Sequence, residues 1–155
     1  MNTDARKAVT LLDHQGVPFS LTGSTVMTPM RTTAVPANAM RSTGSLRIWL
    51  AFDFTNNANA KTIQVTFGGQ VVLSLQPTTN AYLSRWLHIV AKGVTNAQSV
   101  EPNTAVSALG YQTIGSQVLT VDTTQNQNIV VNGQLANSAD NLTLTQYYVE
   151  LLNFA

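Results

Sequence analysis

A chain of 155 residues suffices for one ordinary domain that folds on its own core. It contains no cysteine, which excludes disulfide staples, thiolate zinc sites and thiol nucleophiles. Charged residues make up 10% of the chain and the formal net charge is +1, without a Lys/Arg cluster, so neither a nucleic-acid partner nor an anionic membrane surface is expected.

Threonine, serine, asparagine and glutamine stand where charges usually do, giving a neutral exterior that repels other copies little. No apolar run approaches the roughly 20 residues of a membrane-spanning helix, and the N-terminus lacks the apolar core of a secretory signal. The chain is expected to be made in the cytoplasm and used as made. The sequon Asn141-Leu142-Thr143 then reads as chance.

Residues 1–16 differ from the rest. Asp4, Arg6, Lys7 and Asp13 lie close together, and Ala5, Ala8, Val9 and Leu12 recur at helical spacing between a capping Asp4 and Gly16. One short helix and an extended arm are both open readings. Either form precedes a single domain over residues 17–155 and is long enough to reach a neighbouring subunit.

From there the signals are those of strands. Val17, Phe19 and Leu21 alternate with polar residues, and Pro18 confines that strand to a sheet edge or its start. Thr25 to Val35 gives one or two short strands interrupted by Pro29, and residues 36–45 form a loop. Leu46, Ile48, Leu50, Phe52 and Phe54 then mark a strand with one face on a core and Arg47, Trp49, Ala51 and Asp53 on the other. After the turn at residues 56–60 its partner returns with Ile63, Val65 and Phe67, and Gly68-Gly69 reverses the chain into Val71, Leu73 and Leu75.

A strand follows from Tyr82 or Arg85 to Lys92, with two phases open: Leu87, Ile89 and Ala91 inward, or Trp86, His88 and Val90 inward. Residues 93–110 are polar and irregular, and a mobile loop is expected around Asn96 to Asn103. Short strands are expected at Tyr111–Ile114, Val118–Val121 and Ile129–Val131, and the last strand runs from Asn141 to about Asn153. In that strand Leu142 and Leu144 share one phase, while Tyr147, Val149 and Leu151 hold the other. A bulge near Thr145-Gln146 reconciles them. The sum is an all-β chain: an antiparallel, jelly-roll-like β-sandwich with an N-terminal arm.

Chemistry is sparse. There is no nucleophile elbow, phosphate-binding loop or zinc-binding helix motif, and His14 and His88 lie far apart in sequence. No carboxylate pair is marked for glycoside hydrolysis, and the Asp122, Asn126, Asn128 run is too poor in carboxylate for calcium and reads as a solvated turn. No catalytic residue, metal or cofactor is expected. The aromatics say more. Trp49 faces away from the core beside Arg47, and one of Tyr147 and Tyr148 must do the same. Tryptophan and arginine are common anchors of protein interfaces, though a loop of the chain's own could also cover Trp49.

Three segments belong together: Thr33 to Met40 with Gly44 to Ile48; Asn56 to Thr62 with Val65 to Gly69; and Gly133 to Asp140 continuing through Tyr147 to Leu152. As a set they resemble the small jelly-roll domains of tailed-phage virion proteins. The resemblance spans Thr25 to Leu152. It implies a capsid decoration (cement) protein or a module of head and tail fibres, self-associating as a trimer or, less favoured, a dimer. No catalytic residue is carried over. One domain with a short arm suits decoration better than a fibre, so the expected partner is the major capsid protein, on the capsid exterior. The alternative is a tail or head-fibre module that binds a host-surface glycan. Candidate contacts with another subunit or the capsid are Arg6, Lys7, Val9 and Leu12 in the arm, Arg47, Trp49, Trp86, Tyr147 and Tyr148 on strands, and Phe154 at the end.

Overall fold

The computed structural model describes residues 9–100 and 116–153, which form two antiparallel sheets packed face to face. The larger sheet contains β1 (Val9–His14), β2 (Phe19–Thr22), β4 (Ser45–Phe54), β7 (Tyr82–Ala91), β8 (Gln98–Val100), β9 (Gln117–Leu119) and β11 (Asn141–Leu152). Its order is β1-β11-β4-β7-β8-β9, and β2 follows β1 along the same edge of β11. The smaller sheet holds β3 (Thr28–Val35), β5 (Lys61–Phe67), β6 (Gln70–Leu75) and β10 (Gln127–Leu135), in the order β3-β10-β5-β6.

The alternation in β4 is realised as read, with Leu46, Ile48, Leu50, Phe52 and Phe54 all buried. They meet Ile63, Val65 and Phe67 of β5, Ile129 and Val131 of β10, and Leu142, Leu144, Tyr147 and Val149 of β11 in one apolar cluster. Each such side chain removed from water contributes about 1.5–3 kcal/mol, which is why the period-2 pattern dictates the register. The two open phases of β7 resolve the same way: Leu87 and Ile89 face the core with Arg85, and Trp86, His88 and Val90 face outward.

Bulges explain where alternation slips. The β4–β11 register shifts between Leu144 and Gln146, so Leu142 and Leu144 before the bulge and Tyr147, Val149 and Leu151 after it all reach the core. Met30 is the extra residue opposite the Val131/Asn132 step, and Pro29 sits beside it in β3, an edge strand where a missing donor is tolerated. The segment expected as one or two strands interrupted by proline is therefore one strand. A third shift makes Val72 the extra residue in β6, so Val72 is buried beside Leu73 while Val71 is half exposed.

Of the two open readings of the N-terminal segment, Val9–His14 takes the extended one: it is a strand on β11, whose backbone completes an edge that β11 would otherwise leave unpaired. One expectation is corrected. Within the loop expected around Asn96 to Asn103, Gln98–Val100 is a strand held between β7 and β9, and residues 101–103 lie outside the described residues. Gln98 looked like a loop residue, yet its buried amide donates to Val121 O (2.9 Å) and accepts from Val121 N (3.1 Å), bonding the backbone as a strand would. The strand expected at Tyr111–Ile114 lies outside the described residues. The Asp122 turn is as read: its carboxylate accepts from the Thr124 hydroxyl (2.6 Å) and amide (2.9 Å), which hold its pKa below the ordinary value.

Candidate functional site

Strand pairing sets the outward face of the larger sheet into rows, since directly opposed residues share a face. One row is His14, Tyr148, Trp49 and Trp86. The next is Leu11, Glu150, Arg47 and His88. A third carries Val9, Leu152, Ser45, Val90, Ser99 and Val118.

The aromatic row is packed. The rings of Trp49 and Trp86 lie 5.0 Å apart at 56°, and Tyr148 meets Trp86 edge-on at 5.3 Å. Such pairs contribute about 0.5–1.5 kcal/mol each beyond their area. Arg47 stacks its guanidinium 5.2 Å from the Trp86 centroid and donates from Nε to Glu150 Oε2 at 2.7 Å. The indole of Trp49 donates to Gln146 Oε1 at 3.0 Å. Arg47, Glu150 and the Trp49 indole thus find their partners within the face itself. Beside them the face exposes His14, His88 and Asp53 together with aliphatic side chains: Val9, Leu11, Val90 and Val118 are 51%, 59%, 43% and 54% exposed.

A second cluster ties β1 to the other sheet. Arg31 on β3 binds the Asp13 carboxylate in a fork, with Nε donating to Oδ2 at 2.9 Å and Nη2 to Oδ1. Thr33 also donates to Asp13 Oδ2, and Tyr147 completes the chain by its 2.7 Å bond to Thr33 Oγ1. Burial alone would raise the Asp13 pKa. The hydrogen bonds from Arg31 and Thr33 and the charge of Arg31 outweigh it and hold the carboxyl below its ordinary value. Burial pushes the Tyr147 phenol well above its usual range.

A third cluster lies inside. Lys61 is fully buried at the start of β5, where its amine donates to Asn57 Oδ1 at 2.6 Å and Asn59 O at 2.7 Å. Asp140, 3% exposed, lies 4.0 Å from that amine and accepts from the side-chain amides of Asn57 (2.6 Å) and Asn59 (3.0 Å). Every strong donor and acceptor here is used, so the cluster joins the β4–β5 turn to the start of β11 and offers a ligand nothing. Spacing could have found it: Lys61 shares its phase with the inward Ile63, Val65 and Phe67.

The structure therefore assembles Arg47, Trp49, Trp86 and Tyr148 into one patch, with Val9 on the same face. Leu12, the extra residue at the β1 bulge, packs against the core. Tyr147 is corrected as a contact residue: it is 1% exposed, because the bulge before it turns its phase inward. Leu11, Val90 and Val118, exposed on the same face, are not among the residues the sequence singled out, and Leu11 becomes legible only once β1 is known as a strand. Arg6, Lys7 and Phe154 lie outside the described residues.

No family model matches the chain, and no curated protein sequence does. Among solved structures it is similar to the CBM2 module of the evolved Dit of Lactobacillus casei BL23 phage J-1, at 14% identity over 99% of this chain and 94% of that one, TM-score 0.41. It is also similar to a Bauhinia forficata lectin in complex with GalNAc, at 10% identity over 98% of this chain and 96% of that one, TM-score 0.38. A third likeness is to VP2 of an infectious bursal disease virus subviral particle, at 11% identity over 92% of this chain and 39% of that one, TM-score 0.36. Likeness at this level carries no functional residue across.

Proposed function

We propose that the chain is a structural virion protein, a capsid decoration protein that binds the outside of the major capsid protein shell and stabilises the head. The outward face of the larger sheet supports this reading. Its Arg47 and Glu150 charges are paired, its aromatics are packed into a rigid patch, and Val9, Leu11, Val90 and Val118 flank that patch on one side. A preorganised sheet face with exposed aliphatic side chains suits a flat protein partner, since little side-chain entropy remains to be lost on docking. The motif resemblance to phage virion jelly rolls supplies the setting. Self-association as a trimer, or else a dimer, belongs to the same proposal.

Each copy that buries about 1,000 Å² or more against an assembled shell stabilises it by linkage, because it binds the assembled state only. Purified protein added to undecorated expanded heads is expected to raise their disruption temperature. Leu11→Lys and Trp86→Ala, both on the outward face, are expected to weaken that effect while the free protein stays folded. Failure of the wild type to bind heads, or unchanged binding by both variants, overturns the proposal. Copy number on intact particles separates it from a tail part: many copies over the head, or few at one vertex.

A further inference from the structure

The end of the sandwich where β4 finishes and β11 begins carries a cleft of about 280 Å³ that the outward face does not account for. Phe54 and Leu75 line it from the core, Gln76, Thr78 and Asn80 come from the loop joining β6 to β7, and Tyr82 stands at its rim, 54% exposed. The loop is fixed from beneath. Lys61 N donates to Pro77 O and Phe54 N to Ala81 O, each at 3.0 Å, and the buried Lys61 amine reaches Thr78 O at 3.4 Å. The wall is thus preorganised by the Lys61 cluster.

We infer that this cleft binds a neutral saccharide. All of its side chains are uncharged, which gives an anion or a cation no counter-charge. Among the described residues no hydrogen bond within the protein engages the Thr78 hydroxyl, the Asn80 amide or the Tyr82 hydroxyl. Gln76 makes one long bond, at 3.5 Å, to Thr62. Amides and hydroxyls beside an exposed aromatic ring and an apolar wall match a sugar, which presents hydroxyls at its edge and C–H groups on its face. The volume lies near the small end of ligand pockets, about 300–1,000 Å³, which suits one or two sugar rings. The site is independent of capsid attachment, so head binding and sugar binding succeed or fail separately.

The test is an amide NMR titration of the full chain with neutral hexoses and N-acetylhexosamines, and with sialyllactose as an anionic comparison. Saturable shifts confined to Phe54 and residues 75–83 are expected, with a dissociation constant of about 1–10 mM for a single-ring site. Tyr82→Ala, at an exposed position, is expected to weaken binding about tenfold, and Asn80→Ala to weaken it too, while Trp86→Ala leaves it unchanged. No saturable response to any neutral sugar overturns the inference. So do shifts that map elsewhere, a stronger response to sialyllactose, and unchanged binding by both cleft variants.

Discussion

Replacing Lys61 with methionine keeps most of the side-chain volume and deletes a cation that the fold has enclosed completely. The amine satisfies Asn57 Oδ1 and Asn59 O and faces Asp140 across 4.0 Å. Breaking a buried pair from one side typically costs about 3–5 kcal/mol, because the remaining charge keeps its desolvation penalty. Asp140 retains the amide donors of Asn57 and Asn59, which moves the expectation toward the lower end. Two carbonyl oxygens losing a close donor, at about 1–3 kcal/mol each when buried, move it back up. With a urea slope of about 2 kcal/mol/M, a loss of 3–5 kcal/mol lowers the unfolding midpoint by about 1.5–2.5 M. Equilibrium urea unfolding followed by tryptophan fluorescence measures this directly. Asp140→Asn and the double variant close the cycle, and a coupling above about 1 kcal/mol is expected because the second change removes the charge that the first left unpaired. A midpoint shift under about 0.5 M at unchanged slope, or additive losses, would refute the view that this cluster holds the β4–β5 turn against β11.

Asp13 has a folded pKa below its ordinary 3.8, so its contribution is present in full above that value and is lost as pH falls through the lower folded value. Thermal unfolding followed from pH 6 down to pH 2.5 should show the wild type losing stability below about pH 4, and Asp13→Asn flattening that part of the profile. Tyr147→Phe removes the hydroxyl bonded to Thr33 and is expected to cost about 1 kcal/mol, measured by urea unfolding, with the core packing kept. At Gly133 an added Cβ would meet Met30 Sδ at 2.6 Å and Leu142 Cδ2 at 2.8 Å, so Gly133→Ala should destabilise by about 1–3 kcal/mol in the same assay.

The sandwich was legible because its strands are half-buried and therefore alternate. The bulge in β11 could be read as well, since Leu144 and Tyr147 cannot both face the core without an extra residue between them. Other features were hidden where polar side chains take inward positions. Lys61, Gln98, Thr33 and Asp140 are all buried and bonded, and a hydropathy pattern registers each as a break or a loop. The β1 strand was hidden for a different reason. Its burial is slight and its register bulged at Leu12, so the spacing of Val9 and Leu12 fits a helix as well as an edge strand. The outward patch was half legible: Trp49 and Arg47 followed from the phase of β4, whereas the contact of Trp86 with Tyr148 depended on the pairing of both β7 and β11 with β4.

The residues that carry the resemblance to phage jelly rolls serve architecture more than recognition. Asn57, Asn59 and Lys61 from one motif and Asp140 from another converge on a single buried cluster. Gly68, at φ 54°, takes a turn that disfavours a side chain and lies against Val121, and Gly133 leaves room for Met30 and Leu142. Asn38, at φ 61°, occupies a left-handed position that asparagine tolerates, and its amide donates to Thr123 O at 2.8 Å. Of the motif residues that reach the outward face, Arg47, Tyr148 and Glu150 bond or stack within it. Motifs of this kind therefore specify a scaffold with a stiffened face. Leu11, Val90 and Val118, the exposed aliphatics around that face, lie outside all three motifs, as does Tyr82 at the cleft. The fold itself does not require these residues, so on the proposed docking face substitutions at Leu11 or Val118 are expected to weaken head binding, read by co-sedimentation with heads, while leaving the urea unfolding midpoint nearly untouched.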